Sequence, residues 1–349
     1  MINRQNFLDT REHMEYRRQV IQNDDGTIVV TRLALRHLLQ WADNTPLWDC
    51  QKKVPSFPEY MLTSRNDGKT KPLTSKFIVK VIEHARAFYK WARIHKPEYR
   101  KVSEAWIDTL WIRKSRGMQS RLTQHNFWTL EDAIRVATFP IPDDDLRHKR
   151  DQAAIAFMFL SGMRISAFVT LPLACVDIEH YRIAQDPSYG VQTKNTKAAI
   201  TFLLPIPELL EVVDQWDKQI RSAACSDMAA WCPALDTGGK IKADDLVKPG
   251  SNTNGRRMMI TKGMMELCRL AGVEYKSPHK LRHGHGVYGV KTARTMAELK
   301  VVSQNLMHSS VGITDGIYGN LNLEDMSEVI KTLTPDKLKR KSSPFERAG

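Results

Sequence analysis

The chain of 349 residues has no apolar run long enough to span a bilayer. Its first ten residues are polar, so they do not read as a secretory leader. Cysteine is scarce: Cys50, Cys175, Cys225, Cys232 and Cys268 form no CxxC pair and are odd in number. That usage argues against a disulfide framework and against a cysteine zinc site, and it fits a reducing cytoplasm. No internal repeat or low-complexity tract is present.

What the chain does have is positive charge, +13 overall, unevenly placed. Residues 51–120 hold 16 Lys+Arg against 6 Asp+Glu, and residues 331–349 hold 6 against 2. Residues 1–50 and 121–330 are close to neutral. The length suggests two domains. A basic module beside a neutral one points to a polyanion-gripping domain joined to a balanced one, with a solvated cationic face as the competing reading.

The first module reads as a helical bundle. A helix is expected over Glu12–Gln22, a turn at Asn23-Asp24-Asp25-Gly26, and a helix capped by Thr31 through Leu33, Leu35, Leu38, Leu39 and Trp41. Thr74 or Ser75 opens a stronger helix, in which Ile78, Ile82, Ala85, Tyr89 and Ala92 recur on one face. Lys76, Lys80, Arg86 and Lys90 are spread over its remaining surface, where they are candidate phosphate contacts. A further helix runs from Ser103 through Trp111. Trp41, Phe88, Trp91, Trp106 and Trp111 are read as core.

Arg113-Lys114-Ser115-Arg116-Gly117 looks like a basic linker. The expected domains are therefore 1–118 and 119–335, followed by a basic tail over 336–349. Thr129 starts a helix. Asp144–Leu160 is a second, its later half Ala153–Leu160 almost wholly apolar and so buried. Ser161-Gly162 breaks it, and Arg164 opens the next. Tyr181–Gln185, Gly190–Thr193 and Ala198–Leu204 read as short strands, with Lys194-Asn195-Thr196-Lys197 at a hairpin tip. Pro207–Ala224 and Thr261–Ala271 are helices, the latter with Met264, Leu267 and Leu270 inward. Between them Ala234–Asn254 is a loop, closed by Arg256 and Arg257, two more candidate phosphate contacts. The fold class is mainly α with a small antiparallel β-sheet (α+β).

Five motifs stand in order: Gly162-Met163-Arg164-Ile165-Ser166, Lys194 with Lys197, His279-Lys280-Leu281-Arg282, Leu306-Met307-His308, and Asp315-Gly316-Ile317-Tyr318-Gly319. His279 and Arg282, three residues apart at a helix start, share a face. Arginine binds phosphate oxygens with parallel donors and stays charged. A tyrosine with a free pKa near 10 gains nucleophilicity where cations stabilise its phenolate. A lysine ammonium can protonate a leaving alcohol.

Over Thr129–Leu323 this ordered set resembles the tyrosine recombinases, the phage integrase family. The resemblance implies an N-terminal helical core-binding domain and a catalytic domain that clamp double-stranded DNA. It implies Arg164, His279, Arg282 and His308 as phosphate ligands, Lys194 as proton donor with Lys197 as the other choice, and Tyr318 as nucleophile. Tyr275 and Tyr288 compete with Tyr318 and fit the motif worse. The expected product is a 3′-phosphotyrosyl link and a free 5′ hydroxyl, with no metal or other cofactor, and with four protomers exchanging strands. A type IB topoisomerase-like or resolvase-like outcome, and a DNA-binding regulator without cleavage, are the alternatives. Two positions depart from the family pattern. Ala167 stands where a carboxylate usually supports the first arginine, and Met307 stands where glycine usually precedes the histidine. The tail either packs on a neighbouring protomer or is disordered.

Overall fold

The computed structural model describes residues 2–63, 73–112, 126–308, 310–312 and 314. The chain divides into two compact units, Met1–Thr123 and Gln124–Gly349, each with its own apolar core. The described residues are mainly helical, with one three-stranded antiparallel sheet, as the sequence leads one to expect.

Among the described residues of the first unit are five α-helices: α1 (Arg4–Gln19), α2 (Asp25–Ala42), α3 (Phe57–Thr63), α4 (Ser75–His95) and α5 (Glu104–Thr109). Asn3, Asp24, Thr74 and Ser103 cap four of them through side-chain oxygens. The segment expected to turn at residues 23–26 instead starts α2. Asp24 accepts the Thr27 amide at 2.8 Å, and its charge suits the positive end of the helix. Thr31 therefore lies inside α2, buried, and its hydroxyl donates to the Thr27 carbonyl. On α4 the periodic face is buried as the spacing predicts. Trp41, Phe88 and Trp91 are core, and Trp106 packs partly buried against them. Trp111 is 55% exposed, so it is not core.

The second unit is organised around α7 (Leu146–Ser161), whose residues Ala153–Leu160 are all at most 1% exposed. It is packed on several sides by α6 (Leu130–Ala137), α9 (Pro207–Ala223), α10 (Thr253–Ala271) and α11 (Pro278–Thr292). Asp145 caps its start. Gly162 stops it in the left-handed region at φ 60°, and α8 (Ile165–Phe168) follows with Arg164 at its N-cap. The sheet runs β1 (Val176–Asp177), β2 (Arg182–Gln185), β3 (Ala199–Phe202), with Ile183 opposite Thr201. The strand expected at 190–193 does not form. Asp186 caps a tight turn over Pro187–Tyr189, and Gly190 leaves it at φ 81°. Helix α10 begins at Thr253 because Asn252 caps it, and its Leu270 is 36% exposed while Met264 and Leu267 are buried. Helix α12 (Met296–Asn305) follows, opened by a Thr295–Glu298 capping box.

Arg256 corrects an expectation. It does not face outward to a phosphate but is 5% exposed. Its guanidinium pairs with Asp245, donates from Nε to the Val169 carbonyl at 2.7 Å, and donates from Nη2 to the Cys232 carbonyl at 2.8 Å. Asp245 in turn accepts the amides of Ala234 and Gly250. The loop between α9 and α10 has few ladder bonds of its own, so this pair satisfies its backbone and fastens it beside α8.

Candidate active site

Arg282 lies one turn into α11, 3% exposed. Its Nη1 donates to the Gly162 carbonyl at 2.7 Å, and its Nη2 donates to the Leu306 carbonyl. Both acceptors sit at helix C-termini, of α7 and α12, where carbonyls lack helical partners and the dipole is negative. One guanidinium thus neutralises two helix ends and is held in a fixed plane. Close packing at Gly162 makes this possible. A Cβ there would lie 2.7 Å from His285 Cδ2 and 2.9 Å from Leu306 Cδ2, and its φ already favours glycine. His285 is buried and donates from Nδ1 to the Phe159 carbonyl at 2.9 Å, while burial pushes its pKa down to about 4.

His308 is delivered by the way α12 stops. Its amide bonds the Ser303 carbonyl at 3.0 Å, and the Met307 amide bonds the Gln304 carbonyl at 2.7 Å. This pair of bonds is a Schellman motif, and Met307 occupies its left-handed position at φ 52°. A glycine, which the family pattern has there, would adopt this conformation without the Cβ strain that Met307 carries. His308 then turns back, with Nδ1 2.9 Å from the buried Thr314 hydroxyl. If Thr314 donates, the neutral ring carries its hydrogen on Nε2 and is a donor there.

The charges converge. Burial, then Arg282 and Arg164, lower the His308 pKa to about 4. Partial loss of solvent, then Arg282, Arg164 and Lys280, lower that of His279, which keeps an exposed face and stacks edge-on against His283 at 4.8 Å. Both histidines are therefore neutral near pH 7 and lie in the field of two guanidiniums. Such a site is electrostatically prepared for an anion.

The expected residues do not all fall in this cluster. Arg164, His279, Arg282 and His308 are brought together. Lys194 and Lys197 are exposed on the turn between β2 and β3, where Asn195 and Thr196 are left-handed. Tyr318, the linker at 113–117 and the tail at 336–349 lie outside the described residues. Tyr275 and Tyr288 pack partly buried against the core. On the first unit Lys76, Lys80 and Lys90 are exposed, while Arg86 pairs with Asp108 at 2.8 Å; on the second, Arg257 is exposed.

The model of the phage integrase family matches residues 121–324. The chain belongs to that family. Among relatives of this integrase-family chain, the tyrosine recombinase XerC of Corynebacterium efficiens is 23% identical over 198 residues, covering 55% of this chain and 53% of the relative. The XerC of Pseudomonas entomophila is 24% identical over 197 residues, covering 55% of each. The chain thus spans about half the length of these relatives. In fold it is similar to the Tn1549 transposon integrase in complex with transposon right end DNA, with TM-score 0.60, 14% identity, and 95% and 99% of the two chains covered. It is also similar to a lambda integrase dimer bound to a core site, with TM-score 0.58, 10% identity, and 89% and 76% covered.

Sequence reasoning missed Thr314 and the double role of Gly162. Thr314 carried no local signal. The serine-glycine break before Arg164 did mark Gly162, but only as a helix stop.

Proposed function

We propose that this chain is a site-specific tyrosine recombinase acting on double-stranded DNA. The observation that carries the reading is the convergence of Arg164 and Arg282 on His279 and His308 around one anion-ready site. A scissile phosphate would sit there, its non-bridging oxygens held by the two arginines and by histidine donors as charge builds on phosphorus. Neutral His279 can accept the tyrosine proton. Tyr318 Oη would form the new bond to phosphorus as the bond to the 5′ oxygen breaks, and Lys194 would protonate that oxygen. The phosphotyrosyl link conserves the bond, so rejoining needs no external energy source.

Residues 1–118 would grip the duplex through Lys76, Lys80 and Lys90, with Arg257 adding a contact from the second module. Residues 119–335 would carry the chemistry. Two cleavages per partner duplex imply four copies on DNA, in the cytoplasm.

A nicked suicide duplex tests this. Cleavage next to a nick releases a short strand and traps the enzyme. The expected result is a covalent DNA–protein adduct with the native chain and none with Tyr318→Phe. An adduct that survives Tyr318→Phe would assign another nucleophile. No adduct, with DNA binding intact, would make the protein a DNA-binding regulator. Relaxation of supercoils without joining of two sites would mark a topoisomerase-like outcome.

A further inference from the structure

The lysine-bearing turn is tied down on both limbs, by residues that belong to none of the five motifs. On the near limb, the Thr170 hydroxyl donates to the Ser166 carbonyl at 2.9 Å and accepts the Gln192 amide at 2.9 Å. Thr170 follows α8, the helix that Arg164 opens, and Gln192 stands two residues before Lys194. Ala167, buried where the family pattern has a carboxylate, contributes only its carbonyl to this link, as a second acceptor for Thr170 at 3.1 Å.

On the far limb, Asn305 ends α12 and meets Phe202 in β3. The Phe202 amide donates to Asn305 Oδ1 at 2.6 Å, and Asn305 Nδ2 donates to the Phe202 carbonyl at 2.9 Å. Among the described residues β3 has β2 as its single strand neighbour, so the carboxamide stands in for one peptide unit of a missing strand. Asn305 Nδ2 also lies 3.4 Å from His285 Nε2. Because His285 donates from Nδ1, its Nε2 is the acceptor that receives the second amide hydrogen. Asn305 directly precedes Leu306, whose carbonyl Arg282 holds, and it stands three residues before His308.

We propose that Thr170 and Asn305 are positioning residues that hold the Lys194 turn in register with the phosphate clamp, one from the Arg164 side and one from the His308 side. This rests on the reading of Lys194 as proton donor. Their role is then specific to departure of the 5′ oxygen. That bond breaks as the Tyr318–phosphorus bond forms, and the proton moves from Lys194 Nζ to the oxygen. If sulfur replaces that bridging oxygen, the leaving thiolate needs no proton, since a thiol has a pKa of about 8.5.

The test is single-turnover cleavage by the full chain of two nicked duplexes that differ only in oxygen or sulfur at the 5′-bridging position. Their sequence would come from selection against a random pool. Lys194→Ala should lose about a hundredfold on oxygen and Asn305→Ala and Thr170→Val about tenfold each, from the size of general-acid effects. All three should return to within a few-fold of the native rate on sulfur. Recovery on sulfur also shows that each variant is folded. If Lys194→Ala recovers while Asn305→Ala and Thr170→Val stay slow on both substrates, the positioning role is wrong. If Lys194→Ala does not recover, the proton-donor reading fails and takes this inference with it. Asn305→Asp, isosteric but without the donor to Phe202 and His285, should repeat the Asn305→Ala result; native behaviour on oxygen would overturn the inference.

Discussion

Arg282 donates from Nη1 to the Gly162 carbonyl at 2.7 Å, across 120 residues of chain. The bond joins the end of the core helix to the helix that carries the histidine-arginine motif. It predicts that Arg282→Lys is not conservative. A lysine offers a point charge and cannot bridge the Gly162 and Leu306 carbonyls in one plane. The variant should lose about 2–4 kcal/mol of stability from unpaired buried carbonyls, measured by urea unfolding. Cleavage should fall at temperatures where it is still folded.

Gly162→Ala should act on the same joint from the other side. The added Cβ meets the His285 ring at 2.7 Å, in a conformation that L-residues avoid. A loss of about 2–4 kcal/mol is expected, with the Arg282 site displaced as α7 and α11 separate. Unchanged stability would mean that the helix end can relax.

Met307→Gly should stabilise the protein. Methionine at φ 52° costs about 1–2 kcal/mol, part of which the extra freedom of glycine in the unfolded chain offsets. A net gain of about 0.5–1 kcal/mol, with cleavage retained, is expected in paired thermal and activity assays.

Two histidines, one buried and one half-buried, set a pH dependence. His285 and His308 have pKa values lowered to about 4 in the fold, against 6.5 unfolded. Between those values the unfolded chain binds more protons, so their contribution to stability is complete above pH 6.5 and is lost as pH falls toward 4. Histidine NMR titration should show both near 4 in the free protein. Binding of a nicked duplex should raise the His308 value, because a phosphate offsets Arg164 and Arg282. His285 should stay where burial holds it.

Arg256 and the surface lysines should separate cleanly. Arg256→Ala strands Asp245 in the interior and should cost about 3–5 kcal/mol. Lys76→Ala with Lys80→Ala should leave stability unchanged and reduce the slope of log binding constant against log salt by about 2.

Much of this was legible in the sequence, and the limits are physical. Helical periodicity located α4, and the apolar run Ala153–Leu160 located α7, because burial of one face or of all faces leaves a pattern in residue order. Cap residues marked Thr74, Ser103 and Thr129 for the same local reason. Four of the motif residues were readable as a set and do converge. What was not legible depends on partners distant in the chain. Arg256 looked like a surface cation until Asp245 and two carbonyls enclosed it. Nothing near Asn305 announces that its amide completes the edge of β3. The start of α2 was missed because two good caps, Asp24 and Thr31, compete within one stretch, and local rules do not rank them.

The grip of Arg282 on two helix ends makes one side chain serve two masters. A lineage that abandoned DNA cutting would still pay for dropping Arg282, because the loss would loosen the joint between α7 and α12. A silent descendant should therefore still carry Arg282, and its presence alone is no sign of living chemistry.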